Sequence, residues 1–98
     1  MFSKSFPRQI QGSNYPIWEE IRLTDAEEIL EEKKCRYDNI RVMKECMTDA
    51  SKMMKEKELE DYERFIPHVA MNLFMKRASH AVYWKETRAK EKFDKLFH

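Results

Sequence analysis

Glycine occurs once in the 98 residues, at Gly12, and proline three times, at Pro7, Pro16 and Pro67. Sheets need turns, and turns draw on clusters of Gly, Pro, Asn, Asp and Ser. From residue 24 to residue 98 no such cluster exists, which argues against a β-sandwich or an α/β fold. Cysteine is nearly as scarce, with Cys35 and Cys46 alone. Placed on one helix they share a face, but they lie roughly 16 Å apart along the axis. A disulfide tolerates only about 7 Å between Cα atoms, so an intact helix keeps them apart. Two reduced thiols point to a non-secretory, reducing compartment. Long apolar runs are also missing. The most apolar stretch, Phe65 to Met75, is interrupted by Pro67, His68 and Asn72, and falls short of the ~20 residues a bilayer requires. No membrane span is expected. Nor does charge of one sign dominate. A net charge of +1 gives the whole chain no general pull toward nucleic acid or anionic lipid.

What is present is charge and apolar bulk in nearly equal measure, 38% and 42%, rich in Ala, Leu, Met, Glu and Lys. That is the composition of long amphipathic helices. Six Phe, four Tyr, two Trp and seven Met argue against disorder, because disordered chains are poor in such residues. The charge is unevenly spread. Residues 19–64 hold fifteen Asp and Glu against ten Lys and Arg, a net of −5, whereas residues 65–98 hold three against seven, a net of +4. Such a dipole favours folding one half against the other, or binding a partner of opposite pattern.

Residues 1–23 read as an extended, mostly irregular arm along which Phe2, Phe6, Ile10, Tyr15, Ile17, Trp18 and Ile21 are scattered. An arm without periodicity makes no core of its own, so it is expected to lie across a surface, of its own helices or of a neighbour. The stretch from Asn14 to Trp18 reads as the start of a short helical turn. Lys4 and Arg8, with no acid in the first eighteen residues, are faintly like a mitochondrial presequence. Pro7, Gly12 and Pro16 interrupt the amphipathic helix that such a signal needs. Thr24 followed by Glu27 is a capping box, and Asp25, Glu27 and Glu28 complement the positive end of a helix. No breaker follows until Pro67, so the expected first helix covers residues 24–66. Ile40, Met43, Met47, Ala50 and Met54 follow a 3-4-3-4 spacing, the pattern of a coiled-coil seam. Lys33 and Arg36 upstream and Lys57 and Asp61 downstream confine it to two or three heptads, and Met suits irregular partners better than a strict zipper. At Pro67 the chain either turns into a second helix or continues as a kinked rod. The second helix, residues 67–96, mixes Ala70, Ala78, Ala81 and Ala89 with Phe74, Tyr83, Trp84 and Phe93. Val69, Leu73 and Val82 make its first half apolar on more than one face, which implies more than one neighbour.

Chemistry is hard to assemble from these residues. On a helix His68 and His80 stand about 18 Å apart and cannot share an ion; His98 ends the sequence. Ser79 and His80 are adjacent, so on a helix they point about 100° apart and form no nucleophile–base pair. No Gly-rich loop cradles phosphate. Neither catalytic residues, metal ligands nor a cofactor are expected. Lys76, Arg77, Lys85, Arg88, Lys90, Lys92 and Lys95, interleaved with Tyr83 and Trp84, offer a basic face for nucleic acid, but Glu86, Glu91 and Asp94 interrupt it.

The expectation is thus an all-α chain: an extended arm over 1–23, then a helical region over 24–98, as a hairpin or a rod kinked at Pro67. Its helices carry more apolar surface than one helix–helix seam hides, which implies protein partners. The expected role is a non-catalytic accessory or scaffold subunit of a larger intracellular assembly. Mitochondrial complexes and the microtubule lattices of cilia both use small proteins of this build. The alternative is a small homodimeric helical regulator of protein or nucleic acid. The residues expected to meet the partner are Phe6, Tyr15, Trp18, Ile40, Met43, Met47, Met54, Phe74, Trp84 and Phe93.

Overall fold

The computed structural model describes residues 1–58 and 61–97. The chain is mostly helical, with a short two-stranded antiparallel sheet at its start. Its elements are β1 (Ser3–Arg8), β2 (Ile17–Arg22), α1 (Asp25–Glu56), a 3₁₀ turn (Tyr62–Phe65), α2 (Ile66–Arg77) and α3 (Ala81–Phe97). They divide between two compact units. The first combines Met1–Cys35 with the segment from His80 onward, and the second is Arg36–Ser79.

In the first unit the arm is a β-hairpin. Ser13 N–H donates to Ile10 C=O at 3.1 Å, closing a turn whose third residue, Gly12, has φ +85°. Type II turns demand positive φ there, and glycine adopts it without penalty. The register pairs Lys4 with Ile21, Phe6 with Glu19 and Pro7 with Trp18. Leu23 N–H donates to Phe2 C=O, so by alternation residues 4, 6 and 8 turn their backbone groups toward β2. Pro7 therefore lies with its missing N–H on the open edge, where a strand tolerates proline. One face of the hairpin packs on α3. Ile21, Leu23, Ala89 and Phe93 are buried, with Phe2, Phe6 and Phe97 against them. The Phe93 ring lies 5.3 Å from those of both Phe6 and Phe97.

Thr24 and Glu27 start α1 through two reciprocal hydrogen bonds. Thr24 N–H donates to Glu27 Oε1 at 2.8 Å, and Glu27 N–H donates to Thr24 Oγ1 at 3.1 Å. In the second unit the rest of α1 packs against α2, burying Val42, Cys46, Ala50 and Ala70. Met43, Ile66, Val69, Leu73 and Phe74 complete that core.

Four expectations are corrected. The chain is not strictly all-α, because the arm pairs with itself and the stretch from Asn14 leads into β2 rather than a helical turn. The first helix stops at Glu56, ten residues before Ile66, with Glu58 and Asp61 at φ 54° and 53°. Such left-handed conformations cannot continue a right-handed helix. Pro67 stands in the first turn of α2, where its absent N–H costs nothing. The stretch 67–96 is two helices, separated where Ala78 turns extended at ψ 139°. Finally, the α1 seam holds only in part: Ala50 and Met54 are buried and Met43 packs on the core, but Val42 and Cys46 are buried in place of Ile40 and Met47, which are exposed.

Candidate docking surfaces

Within the first unit, the acidic start of α1 faces the basic α3. Lys85 Nζ donates to Glu32 at 2.8 Å and to Glu28 at 3.3 Å. Arg88 reaches Glu31 at 3.3 Å and Glu27 at 3.5 Å, and Lys92 reaches Glu27 at 2.8 Å. The Lys92 ammonium and the Thr24 backbone N–H hold the Glu27 carboxyl down at about 2. Glu32, then Glu28, raises the Lys85 ammonium above its ordinary range. Glu31 is buried, which an ionised carboxylate tolerates only with partners; Lys34 at 3.1 Å joins Arg88 in that role. The sequence dipole is thereby spent inside the unit. Lys85, Arg88 and Lys92, three members of the basic face, are committed to these carboxylates. Lys90 is bound to Asp94 at 2.9 Å, and Arg77 of the second unit to Asp49 at 2.6 Å.

Beside this ladder runs a shallow groove of about 290 Å³, lined by Glu31, Lys34, Tyr83, Trp84, Thr87, Arg88 and Glu91. Its buried carboxylate is already engaged by Lys34 and Arg88. Among the described residues no three His, Cys, Asp or Glu side chains stand together as metal ligands, and no helix is long and apolar enough to cross a membrane. His98 lies outside the described residues. Comparison with models of protein families, with curated proteins and with solved structures finds no match.

The ten residues expected to meet a partner separate into three groups. Phe93 and Met54 are buried, and Phe6, Met43, Phe74 and Trp84 are half-buried. Phe6 and Phe93 spend their rings on the core of the first unit, and Met43 and Phe74 pack against that of the second. Tyr15, Trp18, Ile40 and Met47 are exposed, Trp18 at 64% and Tyr15 at 81%. Trp18 projects from the hairpin face opposite Ile21, beside Pro7, because successive strand residues alternate sides. An indole in that position rests on no core.

Sequence reasoning missed Met71 and Met75, exposed at 56% and 73%, and Tyr37 at 74%. The signal was present for the two methionines. They are spaced i, i+4 on a helix whose Ala70 faces inward, so they fall on one outer flank.

Proposed function

We propose that this chain is a non-catalytic helical accessory or scaffold subunit that docks onto a larger multi-subunit protein assembly. The observation that carries the reading is Trp18, 64% exposed on a hairpin face that covers no core, with Tyr15, three residues earlier in the loop, at 81%. Scattered apolar residues are normal on surfaces, but exposed Trp and Tyr on an ordered scaffold are the usual anchors of protein interfaces. The engagement of Lys85, Arg88 and Lys92 with α1 carboxylates supports a protein partner over nucleic acid. Burial of both thiols fits a reducing compartment, such as the mitochondrial matrix or the cytoplasm and its cilia.

Size fractionation of a native extract tests the reading. The chain should travel in a particle far larger than its own 12.0 kDa, and Trp18→Ala should shift it toward the free fraction without loss of helicity. Migration of the wild type alone, or at twice its mass, would remove the scaffold reading; the doubled mass would favour the homodimeric regulator.

A further inference from the structure

The unit Arg36–Ser79 has two outer flanks of opposite character. At about 100° per residue, and with Cys46 as the centre of the covered face, Met47 and Ile40 lie about 100–120° to one side. Asp49, Asp38 and Glu45 lie about 60–100° to the other. On α2, with Ala70 at the centre, Met71 and Met75 lie about 100–140° round in the same sense as Met47. The two helices run antiparallel, with Asn39 early in the unit meeting Ser79 at its end. A turn of the same sense therefore carries both sets to one side of the pair. The Arg77–Asp49 ion pair joins the helices across the opposite side, as this geometry requires.

The first side presents Met47, Met71 and Met75, with half-buried Met43 at its inner edge. Ile40, Met47, Met71 and Met75 are exposed there at 49%, 39%, 56% and 73%. Its border is cationic. Within the unit, Arg36 and Lys44 are exposed, have no ion pair among the described residues, and share this side of the helix with no carboxylate. On the other side cations and carboxylates are mixed: Arg41 binds Asp38 at 2.8 Å and Glu45 at 2.6 Å, Arg77 binds Asp49, and Lys52 stands one turn from Glu56. Thus one flank carries both signs of charge, and the other is apolar with positive charge alone. Methionine-lined grooves accept helices because the unbranched thioether adapts to the knobs it meets.

We propose that this methionine face docks an amphipathic helix of a partner protein whose apolar stripe is bordered by Asp or Glu. The inference rests on the docking reading above and gives it a partner chemistry. α2 offers 12 residues, about 18 Å, so some three turns of the incoming helix would be covered. A second copy of the chain fits poorly, because pairing this face with itself sets one cationic border against another.

The test uses the full chain and two labelled helical peptides. Both carry Leu at i, i+3, i+4 and i+7; one has Glu on the flanking positions and the other has Lys. Fluorescence anisotropy at low salt should show the Glu peptide binding about tenfold tighter or more. The double variant R36E/K44E should reverse that preference, and Lys52→Glu on the opposite flank should leave it unchanged. All three substituted residues are exposed, and circular dichroism verifies that the variants remain helical. Equal binding of the two peptides, or indifference to R36E/K44E, would overturn the inference. So would a doubled sedimentation mass abolished by Met71→Asp, which assigns the face to a second copy. Binding to phosphatidylserine vesicles that needs Arg36 and Lys44, without peptide preference, would assign it to a membrane and equally overturn it. A chain that travels in a large particle but shows no peptide preference loses only this inference. One that prefers the Glu peptide yet migrates alone loses only the scaffold reading.

Discussion

Asn39 and Ser79, forty residues apart, exchange two hydrogen bonds: the Asn39 amide donates to Ser79 C=O at 2.9 Å, and Ser79 N–H donates to Asn39 Oδ1 at 2.9 Å. The pair sits where α2 has ended and Ala78 has turned extended, so Ser79 has no helical partner for its own backbone. One side-chain amide replaces both missing bonds and fixes the point at which the helix stops.

Asn39→Ala should therefore cost about 1–3 kcal/mol, because it strands two partly buried backbone groups at once. Ser79→Ala should cost less. Its backbone bonds survive, and only the hydroxyl contacts to Asp38 at 3.2 Å and Asn39 at 3.3 Å are lost. Urea unfolding followed by circular dichroism measures both. Equal losses would mean that the hydroxyl, rather than the amide clamp, holds the break.

Glu27 predicts an acid-sensitive contribution to stability. Its carboxyl is held at about 2 against an ordinary 4.5 by Lys92 and the Thr24 N–H. The folded value lies below the unfolded one, so the carboxylate stabilises fully above pH 4.5 and loses that contribution as pH falls toward 2. Glu27→Gln keeps an acceptor for the capping box and removes the charge. The variant should melt lower than the wild type at neutral pH, and the two melting curves should converge across that window. Melting temperatures that differ by a constant amount from pH 7 to about 2 would show that the charge is not responsible.

Phe93 joins the hairpin to α3, with two ring neighbours at 5.3 Å and Lys90 Nζ 4.8 Å from its centroid. Phe93→Ala should cost about 3–5 kcal/mol. Both tryptophans, Trp18 and Trp84, belong to the same unit as Phe93. Tryptophan emission thus reports on that unit, and its unfolding midpoint should fall sharply in the variant. An unmoved midpoint would mean that the hairpin is not held by this ring.

The helical character of the chain was legible because Gly and Pro are nearly absent after residue 24. That reasoning never applied to residues 1–23, where Gly12, Ser13 and Asn14 form the one turn cluster and the hairpin sits. Its alternation was masked by Lys4 and Glu19, polar residues on the inward face, which find partners in Glu86 at 3.2 Å and Arg8 at 3.0 Å. The end of α1 was illegible for another reason: Glu58 takes a left-handed conformation, which Glu seldom adopts. The break after Arg77 depends on Asn39, and no local sequence carries that information. Apolar spacing alone also could not choose between the Val42–Cys46 and Met43–Met47 stripes, adjacent on one helix. Small Ala70 on α2 packs with the first, leaving Met47, with Ile40, on the surface that the proposed partner would cover.

Gly12 tests whether the hairpin is set by its turn. A methyl group there would meet nothing within 4 Å, so crowding is not the issue. Its φ of +85° is, since a residue with a side chain reaches that region only at a cost of roughly 1–2 kcal/mol. Gly12→Ala should therefore lower the tryptophan-detected midpoint by an amount in that range. Gly12→Asn should lower it less, because Asn tolerates left-handed backbone through local hydrogen bonding. If Ala and Asn prove equally harmless, the turn is not what brings Phe2 and Phe6 onto α3, and the apolar face of the hairpin must be doing so alone.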